Sequence, residues 1–122
     1  MKNSIIEVPF YADSIQAVRQ ESVVWVILKR VCEALGIDDR SQREKLKSKP
    51  WAVGVLITST APDGKDYETF CLDLDSFPMW LATIEPNRVK PEVRFKLIAY
   101  QRECGRVLRD HFFGASVGAP AT

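Results

Sequence analysis

The 122-residue sequence holds one histidine, three cysteines and six glycines, and each shortage removes a class of function. A catalytic histidine needs a nucleophile and an orienting carboxylate, and no pattern around His111 supplies them. Its place near the end of a helical pattern suits the helix dipole instead. Cys32, Cys71 and Cys104 are odd in number and far apart, which is neither a disulfide framework nor a zinc-binding spacing. They are expected to be reduced and mostly buried. Gly54 and Gly64 stand alone, so no glycine-rich loop can cradle a phosphate. The carboxylate pairs Asp63/Asp66 and Asp73/Asp75 fall where turns and helix caps favour aspartate. Catalysis, a metal and a cofactor are therefore not expected. No apolar run approaches the ~18 residues of a membrane span. The start, MKNSIIEVPF, is too short in apolar residues and too early in proline for a signal peptide. The expectation is a cytoplasmic protein. A net charge of +1 will not drive it onto DNA or an anionic membrane, so any basic site must be a local patch.

What is present reads as one α+β domain with 46% hydrophobic residues, enough for a core without staples. Ser4–Val8, Ile15–Val18 and Val23–Ile27 are β-branched or alternating, the pattern of a small antiparallel meander. The period then changes: Leu28, Val31, Cys32 and Leu35 occupy one face of a helix, and Gly36 is a helix stop. Ser41 and Glu44 have capping-box spacing and predict a second short helix over 42–48. Joined by residues 36–40, the two helices resemble a helix-turn-helix in outline. Residues 53–59 and 66–74 read as a hairpin around the turn at 61–65. A short helix is expected over 75–83, capped by Asp75 or Ser76, with Phe77, Trp80 and Leu81 inward. Residues 87–90 read as a linker, and Pro91 suits the first turn of a long helix to about Phe113. On it Val93, Leu97, Tyr100, Cys104, Val107 and His111 form a heptad seam, widened by Ile98, Leu108 and Phe112. That seam exceeds what a core of this size covers, which predicts a homo-oligomer, a dimer first. Residues 114–122 are small and are expected to form a flexible tail or linker stub after a domain at 1–113.

Basic residues are more informative. Arg40, Arg43, Lys45, Lys47 and Lys49 crowd residues 40–49 against Glu44 alone. Residues 88–109 carry Arg88, Lys90, Arg94, Lys96, Arg102, Arg106 and Arg109 against Glu92 and Glu103. Each cluster alone could be an ordinary solvated face. Together, on a nearly neutral chain, they imply segregated charge and a docking face for phosphates or an acidic partner. Trp25 and Trp80 are expected in the core, and Trp51, after Lys49-Pro50, partly exposed.

Two groups of residues resemble a known family. Leu28–Asp38 with Ser41-Gln42 and Lys45-Leu46 is similar to one signature of phage antirepressor amino-terminal domains. Cys71–Leu74, Trp80-Leu81, Pro86-Asn87-Arg88-Val89-Lys90-Pro91-Glu92 and Tyr100–Cys104 are similar to a second. The Pro-Asn-Arg-Val-Lys-Pro-Glu run is the specific part. The family in turn resembles, more distantly, the Bro-type amino-terminal domain of large viruses and phages. The resemblance implies a non-enzymatic regulator in the bacterial host that binds a prophage repressor and keeps it from its operator. The partner-binding residues would be Arg40, Gln42, Arg43, Lys45, Lys47, Lys49, Asn87, Arg88 and Lys90. The other reading is a DNA-binding module using the basic helix 40–49. Two positions depart from the family pattern: Asp39, where an aromatic is expected, and Glu85, where an amide is expected.

Overall fold

The computed structural model describes residues 4–10, 13–60 and 63–114. The fold is α+β: a five-stranded antiparallel sheet and four helices, the last of them long. Strands β1 (Ser4–Phe10), β2 (Asp13–Gln20) and β3 (Val23–Ile27) form the expected meander. Helices α1 (Leu28–Leu35) and α2 (Asp39–Lys47) follow, then the hairpin β4 (Gly54–Thr60) and β5 (Asp66–Asp73). Helix α3 (Ser76–Thr83), a 3-10 turn at Pro86–Arg88 and α4 (Pro91–Phe113) are the last elements of the described residues.

The strand order is β1-β2-β3-β5-β4. Meander and hairpin are thus fused through β3 and β5, with Val26 opposite Leu72 and Ile27 opposite Cys71. Because successive side chains alternate between faces, these pairs feed two cores. Val26 and Leu72 join Leu28, Cys32, Phe77, Trp80 and Leu97 in a cluster that binds sheet to helices. Val18, Ile27, Ile57 and Cys71 form a second cluster made of strand residues alone, with Trp25 and Val55 packed on it. Trp25, expected in the core, is only half-buried, because it sits in that helix-free cluster.

Local chemistry sets the helix ends, in part differently from expectation. Gly36 ends α1 at φ 79° and donates its N–H to Cys32 O at 2.8 Å, as expected. Helix α2 begins earlier than expected. Asp38 is its N-cap, accepting from Ser41 N at 2.9 Å and from Ser41 Oγ at 2.8 Å. A carboxylate outcompetes a hydroxyl for orphan helix N–H groups, so Ser41 serves as a donor inside the first turn. Asp75 holds the N-cap position of α3 as expected, but its side chain makes no cap bond: Asp73 at the end of β5 accepts from Ser76 N at 2.9 Å instead. The expected linker at 87–90 instead begins inside the 3-10 turn, where Glu85 accepts from Asn87 N at 3.3 Å. The expected tail, except Gly114, lies outside the described residues.

Helix α4 braces the helical layer through side-chain bonds to backbone carbonyls of α3 and the turn that follows it. Arg94 Nε donates to Pro86 O at 3.0 Å, Tyr100 OH to Pro78 O at 3.0 Å, and Gln101 Nε2 to Ile84 O at 2.7 Å. Ser76, the one buried polar residue among those described, ties α3 to the connector before β4. Its Oγ accepts from Val53 N at 3.1 Å and donates to Trp51 O at 3.3 Å. Ser76→Ala leaves both groups without this partner and is expected to cost about 1–3 kcal/mol, measured by urea unfolding. An unchanged midpoint would show that solvent satisfies Val53 and Trp51 equally well.

Candidate partner-binding cleft

The two basic regions, some forty residues apart in sequence, meet in space. Gln42, Lys45 and Lys49 from α2 and its end, and Arg88 from the 3-10 turn, line one cleft of about 410 Å³. Its apolar wall is built from Ile37, Leu46, Trp51, Trp80 and Ile84. Leu46 is the single buried residue of α2, and it anchors a helix otherwise free to present charge. Trp51, half-buried on the connector, forms part of the wall. Glu85, one of the two family departures, contributes the one carboxylate and sits beside the cations.

The floor depends on one polar contact. Trp80 is 1% exposed, so its indole N–H must find an acceptor inside the protein. It donates to Gln42 Oε1 at 3.1 Å. Gln42, named from the sequence as a docking residue, therefore also has a folding task. Lys90 is half-buried: its backbone N–H donates to Leu35 O at 2.9 Å, and its stem lies where a Cβ on Gly36 would meet it at 3.2 Å. Lys47 is paired with Glu44 at 2.9 Å on the exposed side of α2. Arg40 and Asn87 are exposed and Arg43 half-buried, and none of the three lines the cleft. The structure thus gathers Gln42, Lys45, Lys49 and Arg88, and adds Trp51, Glu85 and the α3 end at Thr83–Ile84. The position of Trp51 beside Lys49-Pro50 was the one sequence signal for these additions.

The other candidate groups have structural tasks. Asp63 accepts from Lys65 N at 2.9 Å and from Tyr67 OH at 2.8 Å, and both bonds hold its carboxyl below the usual range. His111 is exposed and meets Phe112 edge-on at 4.8 Å between ring centroids. Burial, helped by the charges of Asp39 and Asp38, pushes the Cys32 thiol up to about 12. Burial alone pushes Cys71 up to about 11. Both are neutral thiols, poor nucleophiles and poor metal ligands. Among the described residues no three histidine, cysteine or acidic side chains converge on a possible metal position. No helix of the described residues is long and apolar enough to cross a membrane. A separate hollow of about 500 Å³ lies between β2, α1 and α4, walled by Ile15, Val31, Leu81 and Leu97, with Arg30 and Lys96 among its lining. Arg30 is paired with Glu33 at 3.3 Å.

A model of the family described as the P22_AR N-terminal domain matches residues 6–118, nearly the whole chain. The chain belongs to that family. It is therefore an antirepressor amino-terminal domain and carries a phage regulatory role. No curated protein and no solved structure matches it. In this antirepressor-family domain both stretches that carried the resemblance contribute to the cleft, Gln42 and Lys45 from the first and Trp80 and Arg88 from the second.

Two measurements check these assignments. Gln42→Leu leaves the buried indole unpaired and is expected to cost about 1–3 kcal/mol, whereas Lys45→Ala on the open rim stays within about 0.5 kcal/mol. Equal effects in urea unfolding would remove the structural role of Gln42. The cysteines respond to alkali: an unfolded thiol ionises near pH 9, but Cys32 and Cys71 keep their protons to about 12 and 11. Their stabilising contribution is thus complete below pH about 9 and is lost as pH rises towards those values. Alkylation of the native chain at pH 8 should label Cys104 and spare Cys32 and Cys71 until denaturant is added.

Proposed function

We propose that this domain is a non-enzymatic regulator, acting in the bacterial cytoplasm, that docks an acidic, partly apolar segment of a phage repressor in the α2/3-10-turn cleft and so blocks the repressor's hold on DNA. The observation that carries this reading is the convergence of Lys45, Lys49 and Arg88 around a wall of Trp51, Ile84 and Leu46. Cations alone would suit a phosphate backbone. Cations around an apolar, aromatic wall suit a protein segment, in which an apolar side chain enters and carboxylates pair at the rim. No bond need be broken. Binding the repressor's free form, or covering its DNA-reading or oligomerising face, lowers operator occupancy by mass action. Family membership supports the partner class.

The second reading is DNA binding by α2, favoured by the exposure of Arg40, Lys45 and Lys47 on a helix that follows α1 after three residues, and of Lys49 just beyond it. Against it stands the pairing of Lys47 with Glu44, which occupies one of the cations that α2 would offer to phosphate.

Fluorescence anisotropy of labelled operator DNA, held by the repressor of the encoding prophage, separates the two. Addition of the domain should return the signal to the free-DNA value. Changing Lys45, Lys49 and Arg88 together to alanine should weaken this effect about tenfold or more, equivalent to about 1.4 kcal/mol. A rise in anisotropy on operator without repressor, falling with salt at a slope near −0.9 per phosphate contact, would establish DNA binding instead.

A further inference from the structure

The core-facing stripe of α4 does not end where the core ends. Along its 4-3-4-3-4 spacing, Leu97 and Tyr100 are buried and Val93 and Cys104 half-buried. Then Val107 is 60% exposed, Leu108 52% and Phe112 72%. The last nine residues run for about 13 Å at the usual rise per residue and are mostly exposed. At the near end of this ridge Val107 and Leu108 form one edge of an apolar groove of about 510 Å³, lined also by Pro9, Pro78, Ala82, Tyr100 and Cys104. Met79, on its wall, is 47% exposed.

We infer that ridge and groove are the two halves of one two-fold dimer interface, with the projecting end of α4 in each copy lying antiparallel over the α3/α4 groove of the other. The inference does not rest on the repressor-binding reading. Three observations select a second copy as the occupant. First, a projecting ridge and a matching groove lie side by side on one chain and share Val107 and Leu108, which is the self-complementarity a two-fold interface needs. Second, the register fits: Cys104 and Glu103 line the groove on one side of Val107 and Leu108, and His111 and Phe112 lie the same distance beyond them. An antiparallel crossing near Val107 and Leu108 sets His111 and Phe112 of one copy over Cys104 and Glu103 of the other. Third, the area suffices. Four half- to three-quarters-exposed apolar side chains, together with their rims, amount to roughly 500 Å² per copy, and two copies reach the lower bound of about 1,000 Å² for a specific interface.

Sedimentation equilibrium of the full chain tests this. The mass is expected to rise from 13.8 kDa towards twice that value with concentration. Leu108→Glu on the ridge and Met79→Glu in the groove should each weaken association about tenfold or more, with the far-ultraviolet circular dichroism unchanged. In the unsubstituted chain, alkylation of Cys104 should slow as concentration rises over the same range. A mass that stays at 13.8 kDa into the high micromolar range would overturn the proposal. So would a dimer that survives both substitutions, or Cys104 alkylation independent of concentration.

Discussion

The buried indole of Trp80 constrains the rest of the helical layer. A side chain this large contributes much apolar area, but its N–H cannot be left dry and unpaired, a cost of about 1–3 kcal/mol. The acceptor comes from Gln42 on α2, so one bond fixes the position of a mostly charged helix against α3. Helix α2 has little else to hold it, since Leu46 is its only buried residue. The cleft follows from this arrangement. Lys45 lies one turn beyond Gln42 and one position before Leu46, so a helix pinned by those two residues carries the lysine to the rim. On the other side Gln101 and Arg94 of α4 hold the carbonyls at the end of α3 and in the turn that follows, which places Arg88 and Glu85. The cleft's cations are positioned by bonds that other residues make, so they can meet a partner without being consumed by the fold.

Much of the fold was legible because it is local. The meander, the hairpin, the apolar face of α1 with Gly36 behind it, and the proline-initiated α4 all rest on periodicity or on the backbone preferences of single residues. The joining of β3 to β5 was not legible, because it is set by which two apolar strands bury each other across the α1–α2 insertion. The caps were misread in part, for a related reason. Ser41 has the right identity and spacing, but Asp38 takes the Ser41 N–H and starts the helix earlier, and Asp75 holds its N-cap position while Asp73 makes the bond to Ser76 N. Sequence spacing shows which residues could cap, and geometry decides between neighbours of similar chemistry.

The candidate site divides the same way. The basic run at 40–49 and the Asn87–Lys90 segment were each visible as charge or as resemblance, but their meeting is a tertiary fact. So is the sorting of the run into residues that face the cleft, Lys45 and Lys49, and one that does not, Lys47, which is bound to Glu44 on the solvent side. Gln42 shows why docking and folding roles could not be separated from composition. A surface amide and an amide that satisfies a buried indole look identical until the partner, 38 positions away, is in place.

Helix α3 connects the two surfaces to which function has been assigned. Over eight residues it turns Trp80 and Thr83 towards the cleft and Pro78, Met79 and Ala82 towards the α3/α4 groove. The two surfaces therefore occupy opposite sides of one short helix. A partner in the cleft and a second copy in the groove do not compete for space. A two-fold dimer formed on the groove keeps both clefts open, at positions fixed by the crossing of the α4 helices rather than by a flexible linker. For a partner that is itself paired on DNA, two clefts held at a set distance make the second docking event intramolecular, and the effective concentration it gains can exceed what either weak, largely rim-charged cleft supplies alone. A small, nearly neutral domain with one modest cleft can in this way oppose a tight repressor–operator complex. The exposed apolar end of α4, which costs solubility in an isolated chain, is then the feature that makes two clefts act as one.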